Sequence, residues 1–307
     1  MIEGEIMTEN QNRILIFGAG TIGSIYALKF LEAGFDVTMF ARSNRFKTLS
    51  ENGLQYDKKG TVCSIKINVI DKLDNDDIYD FIFVTVRYDQ AESALLALKD
   101  NKSKTIVTMT NSSTGFSQWL DIVHDRLLPA FPGFGGQIKE EILYARIPPK
   151  AIAATMFGDV SGLKTKRVEE LSTLFDTAKL SYKNNVDMES FLITHSVTDI
   201  AIIGALHVDD EIIDSKAIRT KKNAHRITIT LKKYFGIIQK AGITINPPML
   251  KSVLKFPNII LDLFFILFLR SKMVKGMLLP DFAIPAIREV KQLEKDLLEY
   301  LNHSHQI

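Results

Sequence analysis

The sequence predicts an α/β protein: a domain built on a parallel sheet over residues 13–185, followed by an all-helical domain over residues 186–307. Three observations carry this. Short, continuously apolar runs alternate with helical patterns in the first part, as strands buried on both faces require. A glycine-rich turn joins the first such strand to the first helix. Past about residue 185 the strand signals fade and only long helical patterns remain.

Residues 1–12 are polar and acidic with no apolar core, so they are expected to be a disordered lead-in and not a secretory signal. Residues 13–17 (RILIF) form the first buried strand. Residues 21–33 follow as a helix whose apolar positions are Ile22, Ile25, Tyr26, Leu28, Phe30 and Leu31, and Gly34 stops it. Residues 36–40 (DVTMF) are the second strand. Residues 54–70 alternate loosely around Lys58, Lys59 and Gly60, which predicts a hairpin insert. Residues 80–86 and 105–110 are two more buried strands. Strands separated by helices imply a parallel sheet covered on both faces. Further on, strand-like runs at 127–131, 142–147 and 151–157 are interrupted by Gly133, Gly135, Gly136 and the Pro148–Pro149 pair, and 165–178 is helical. The loop around Gly133 to Gly136 either lines a cleft or makes a tight connection. Helices are then expected at 188–206, 215–241, 248–269 and 283–301.

Composition narrows the function classes. A chain of 307 residues with 46% apolar residues can build a substantial core. A net charge of +2 is far from the clustered basic face that nucleic-acid binding needs, so no nucleic acid is expected as a partner. One cysteine, Cys63, permits no internal disulfide and fits a cytoplasmic protein. The histidines and cysteine do not follow zinc-ligand spacing, so no metal is expected. The most apolar run, residues 258–269, is about 12 residues long and contains Asp262, whereas a membrane span needs about 20. It is expected to be a buried helix, placed at a subunit contact if the chain forms a homodimer, and no membrane partner is expected.

Gly18-Ala19-Gly20-Thr21-Ile22-Gly23 reads GxGxxG, between a strand and a helix. That context makes it a Rossmann-type dinucleotide motif. Gly18 makes the tight turn, Gly20 lets the backbone approach the pyrophosphate, and Gly23 allows close helix packing. The N–H groups at the helix start, around Thr21 and Ile22, then face the phosphates. Enzymes that use NAD carry Asp or Glu at the end of the second strand. This chain has Arg42 there, with Arg45 close by, and Asp36 lies at the wrong end. Arg42 can stack on adenine and pair with a 2′-phosphate, and Arg45 adds charge, which points to NADP as the cofactor.

With these residues in place, the chain resembles the ketopantoate reductase (2-dehydropantoate 2-reductase) family. The resemblance rests on GAGTIGS at 18–24, Arg42 followed by LSENGL at 49–54, VTVRYDQ at 84–90, and Asn111 at the end of the next strand. It covers residues 13–185 well. The helical half matches loosely, through Ala241-Gly242-Ile243 and a last helix bearing Arg288-Glu289. The resemblance implies hydride transfer from NADPH to the ketone carbon of a 2-oxo acid, with 2-dehydropantoate and pantothenate biosynthesis as the family's own case. It also implies that Asn111 holds the nicotinamide ribose and substrate. A lysine on the first helix of the second domain would protonate the carbonyl oxygen, a second lysine would follow the fourth strand, and a glutamate of the helical domain would bind substrate hydroxyls. Independently, the cofactor is expected at the carboxyl ends of the strands, near Gly20, Arg42, Val86 and Asn111, as ligands bind in open α/β sheets.

The chain departs from that pattern. The second lysine is Arg87, a cofactor or carboxylate contact with different geometry. The catalytic lysine is absent: Phe191 takes its place, and no lysine occurs between Lys183 and Lys216. The helix offers Glu189, His195 and Asp199 instead. His195 is the candidate proton donor, because imidazole titrates near neutrality, and Asp199 one turn later can orient it. A substrate contact and a hydrogen-bonded core residue are the alternative roles for His195. Two function classes follow, an NADPH-dependent reductase of a 2-oxo acid and an NADP-binding sensor with little turnover. The lost lysine favours the sensor. A third reading, a hydroxyacyl-CoA or opine type dehydrogenase, also has a helical second domain.

Overall fold

The computed structural model describes residues 12–205, 207–208, 211–212, 220–271, 274 and 284–304. The expected lead-in therefore lies, but for its last residue, outside the described residues, as do 206, 215–219 and 283 of the expected helices. The chain runs β1 (Arg13–Phe17), α1 (Thr21–Glu32), β2 (Asp36–Phe40), α2 (Ser43–Asn52), β3 (Leu54–Lys58), β4 (Thr61–Ile65) and β5 (Asn68–Ile70). It continues β6 (Phe81–Val84), α3 (Tyr88–Ala97), β7 (Ile106–Met109), α4 (Ser117–Val123) and β8 (Leu127–Phe131). Then come β9 (Gly135–Lys139), β10 (Ile142–Arg146), β11 (Thr155–Phe157), α5 (Lys166–Thr177) and β12 (Tyr182–Asn184). The last part is α6 (Met188–Ala205), a ribbon of β13 (His207–Val208) and β14 (Glu211–Ile212), α7 (Lys221–Lys240), α8 (Ser252–Lys255), α9 (Asn258–Arg270) and α10 (Ile284–Ser304).

The fold is α/β, with one eight-stranded sheet ordered β12-β11-β8-β7-β6-β1-β2-β5. From β8 through β5 all neighbours are parallel, and only the β8–β11 pair is antiparallel. The period-2 alternation of β1 explains why it is central. Ile14 and Ile16 face a core containing Tyr26, Phe30, Phe83 and Phe175, while Leu15 and Phe17 face the opposite core, with Ile82, Trp119, Met188 and Phe191. Each such fully buried side chain stabilises by about 1.5–3 kcal/mol. The chain leaves β1 for β2 on one side and returns to β6 on the other. That reversal opens a crevice beyond the carboxyl ends of the strands, where ligands of such sheets bind.

A four-stranded sheet, β4-β3-β10-β9, packs beside α1. Its β3–β4 half is the expected hairpin insert, but β5 leaves the insert and pairs with β2 instead. The helical part has its own core, formed by α6, α7, α9 and α10. It is not purely helical, because the ribbon of β13 and β14 follows α6. The long helix expected over 248–269 is broken. A 3₁₀ turn (Pro248–Lys251) and α8 end at Phe256, and α9 starts after Pro257. The cause is steric, since a proline disfavours helical backbone in the residue before it.

Helix α9 is not buried as expected. Leu261, Phe265 and Leu269 enter the core, whereas Ile259, Ile260, Leu263, Phe264 and Leu267 are exposed, Ile259 by 77%. Asp262 accounts for part of this arrangement, because it pairs with His225 of α7 at 2.8 Å and fixes the roll of the helix. Among the described residues no helix is long and apolar enough to cross a membrane.

Candidate functional site

The glycine motif is tightly packed at two of its three glycines. Gly18 has φ +124° and makes the turn out of β1, and the Thr85 hydroxyl donates to its carbonyl oxygen at 2.8 Å. A Cβ on Gly23 would lie 2.0 Å from that same oxygen, so α1 approaches the loop as closely as glycine allows. Gly20 differs: a Cβ there would meet nothing within 4 Å. Gly20 is also the N-cap of α1, and no side chain caps the helix. The N–H groups of the first turn, around Thr21 and Ile22, thus lack a side-chain acceptor and suit phosphate oxygens. The loop borders a groove of about 400 Å³ that Gly18, Gly20, Arg42, Arg45 and Val86 all line. These observations fit a dinucleotide.

The two arginines behave differently. Arg42 is exposed, with its guanidinium 5.5 Å from the centre of the Phe40 ring, and stands at the groove mouth. Arg45 is anchored. Its Nε donates to Ala19 O at 3.2 Å, Nη2 to Ser24 Oγ at 3.3 Å and Nη1 to Glu141 Oε2 at 2.6 Å. Arg45 therefore braces the glycine loop and α1 against the β9–β10 hairpin. Arg87 is the N-cap of α3, is 55% exposed and pairs with Asp89 at 3.1 Å. Val86 lines the groove and Arg87 does not.

A second polar group forms at the next strand ends. Asn111, just beyond β7, is buried. Its Nδ2 donates to Asp199 Oδ2 at 2.7 Å, and Ser196 Oγ donates to its Oδ1 at 2.9 Å. His195 Nδ1 lies 3.3 Å from the same Asp199 oxygen, and the imidazole packs on Phe131 with centroids 3.9 Å apart. Phe191 is buried against the same Phe131 ring. These residues cluster at the ends of β7 and β8. The groove lies at the ends of β2, β1 and β6, so at about 4.8 Å per strand the cluster is one to two strands away. Apart from Arg87, the expected site residues thus form two groups at the carboxyl ends of the strands. The Gly133 loop is a tight connection, because a Cβ on Gly133 would strike Ala154 C at 2.2 Å.

Ser196 and Glu289 emerge from the structure as further members of the site. Glu289 of α10 accepts from the Tyr88 N–H at 3.4 Å, and the Tyr88 hydroxyl donates to Asp296 at 3.0 Å. The polar positions Glu289, Gln292 and Asp296, at helical spacing on α10, were the available sequence signal. Burial pushes the Glu289 carboxyl up from the ordinary 4.5 to about 7, helped by the charges of Asp199 and Asp89, while the Tyr88 N–H and Arg87 oppose the shift. The fold therefore holds the proton better than the unfolded chain does. Stability contributed by this group is full below about pH 4.5 and is lost as pH rises to about 7. Glu289→Gln, which mimics the protonated form, is expected to be more stable than the parent at pH 8, by at most about 3 kcal/mol, and to match it near pH 4.5. Urea denaturation at the two pH values measures this, and equal gains at both would refute it.

Comparison with known proteins adds three findings. The family model described as ketopantoate reductase PanE/ApbA matches residues 14–142. No curated protein matches the sequence. Solved structures share the fold across nearly the whole chain at low identity. One is a ternary complex of D-mandelate dehydrogenase with NADH and anilino(oxo)acetate, with TM-score 0.68, 13% identity, and coverage of 95% of this chain and 99% of that one. Another is 2-dehydropantoate 2-reductase from Methylococcus capsulatus, with TM-score 0.63, 16% identity, and coverage of 94% and 97%. A third is 2-dehydropantoate 2-reductase from Porphyromonas gingivalis W83, with TM-score 0.64, 15% identity, and coverage of 94% and 100%.

Proposed function

We infer that this chain, whose residues 14–142 match the family model described as ketopantoate reductase PanE/ApbA, is an NADPH-dependent reductase of 2-oxo acids. The observation that carries the reading is the polar cluster of Asn111, His195, Ser196 and Asp199 beside the glycine-loop groove. A nucleotide sensor has no need of an ordered acid and amide at that place, so the cluster favours turnover. The D-mandelate dehydrogenase and the 2-dehydropantoate 2-reductases of the same fold support an NAD(P)H-linked reaction at a 2-oxo or 2-hydroxy acid.

When bound, the nicotinamide supplies the hydride that reduces the ketone carbon. The chain's own residues do the rest. In this reading His195 gives the proton that the developing alkoxide needs, and Asp199 Oδ2, 3.3 Å from Nδ1, faces the imidazole. Asn111 is held in one orientation by Ser196 and Asp199, so its amide is a preorganised dipole at the strand end. The Phe131 and Phe191 rings flank the imidazole and exclude water on that side. Arg42 supplies charge for a 2′-phosphate.

The test is steady-state NADPH oxidation over a panel of 2-oxo acids that includes 2-dehydropantoate and branched and aromatic members. Turnover of at least one supports the reading, and none across the panel, with NADPH bound, would favour the sensor. In the same assay NADPH is expected to be preferred over NADH by at least about tenfold, roughly 1.4 kcal/mol. Arg42→Ala is expected to remove most of that preference. A variant with the preference intact would take Arg42 out of nucleotide recognition.

A further inference from the structure

Arg45 lines the nucleotide groove, yet its charge is already matched. Glu141 Oε2 meets Nη1 at 2.6 Å, and the pair is partly shielded, with Arg45's side chain 17% exposed. Glu141 comes from far along the chain, in the two-residue turn of the β9–β10 hairpin. Both turn residues have positive φ, Glu140 at +49° and Glu141 at +67°. Turns of this kind select Asn-Gly, because side chains of other types are strained there. This chain has glutamate at both positions. Such strain persists when the surrounding structure fixes it, and it gathers at functional sites. Here the strained turn delivers one carboxylate to one groove-lining guanidinium.

We propose that Glu141 is a specificity-determining residue: by neutralising Arg45 it limits the groove's preference for a 2′-phosphorylated nucleotide, leaving Arg42 as the one uncompensated cation of the pair. The proposal rests on the dinucleotide reading of the groove. In enzymes that use NAD an acid on the second strand rejects the 2′-phosphate directly. Here the acid arrives from a second sheet and acts through an arginine. Glu141 is thus a positioning residue: its carboxylate holds the Arg45 side chain that braces Ala19 and Ser24, and cancels its charge.

Glu141→Gln keeps an oxygen acceptor for Nη1, so the brace is retained while the charge is removed. Glu141→Asn removes the charge with a residue type that tolerates positive φ, and covers the case in which the first variant folds poorly. Dissociation constants for NADPH and NADH, read from nucleotide fluorescence without any substrate, give the ratio. Both variants are expected to shift the ratio toward NADPH by about fivefold, the order expected when one carboxylate near a doubly charged phosphate is removed. NADH affinity should stay within about twofold. Glu140→Gln, which removes the neighbouring exposed charge, should leave the ratio unchanged. An unchanged ratio in the Glu141 variants, or the same shift in Glu140→Gln, overturns the proposal and leaves the dinucleotide reading standing. If the parent protein binds neither nucleotide, that reading falls and the proposal falls with it.

Discussion

Alanine at Gly23 is expected to cost the fold and the nucleotide together, whereas alanine at Gly20 costs the nucleotide alone. A methyl group on Gly23 would lie 2.0 Å from Gly18 O, 2.5 Å from Thr85 Oγ1 and 2.9 Å from Ile16 Cγ2. The first of these is backbone and cannot rotate away, so α1 or the loop must move. Overpacking in a tight core costs about 1–3 kcal/mol, and a backbone contact sits at the upper end. A drop of several degrees in Tm is expected, with no measurable NADPH binding, because the displaced Gly18 carbonyl belongs to the turn itself. Gly20 has extended backbone and open space around its missing Cβ. Gly20→Ala should therefore melt with the parent, within about 1 °C, yet bind NADPH at least about tenfold more weakly, since the methyl fills the approach of the pyrophosphate. Thermal melts and fluorescence titrations on the two variants separate the effects. A Gly20→Ala protein with parental affinity would show that phosphates do not cross the loop.

His195→Ala is expected to lower kcat by about 100-fold while leaving the NADPH dissociation constant within about twofold. General acid assistance contributes about 10²–10⁴-fold, and the lower figure applies because water can enter the space of a lost imidazole. The structure gives the residue the needed surroundings: Asp199 at 3.3 Å on one side and the Phe131 ring on the other. A second readout separates chemistry from packing. His195→Gln, which keeps a polar group in the same space without an acidic proton to give, should lose kcat as fully as His195→Ala while melting with the parent. Full activity in either variant would remove His195 from the mechanism.

Much of the α/β half was legible because its signals are local. Strands such as 13–17 and 127–131 are continuous apolar runs, and GxGxxG has a fixed place between strand and helix. The place of Arg42 at the groove could be read for the same reason, since it lies just beyond β2. What escaped depended on distant partners. Nothing in Lys139-Glu140-Glu141-Ile142 announces a tight turn, since neither Asn nor Gly is present, so β9 and the Arg45–Glu141 pair were invisible. Arg45 looked free to meet a phosphate because its three partners lie outside its own segment. Helix α9 was judged by its composition, but its exposed row depends on the roll set by His225 and Asp262. The lysine-free span between Lys183 and Lys216 was plain from the sequence itself. That Ser196 would complete the Asn111 contact was not, because it needs the docking of α6 on β7.

The span between Arg45 and its carboxylate partner has a consequence for biosynthesis. The two residues are 96 positions apart, and Glu141 sits on a hairpin whose second strand ends at Arg146. Translation at about 5–20 residues per second takes about 5–20 s to cover that distance. During this interval β1, α1, β2 and α2 have been made and Arg45, on α2, lacks its Glu141 partner. The nascent chain therefore carries a more cationic glycine loop than the finished protein, and the groove acquires its final electrostatic character only when the second sheet packs beside α1.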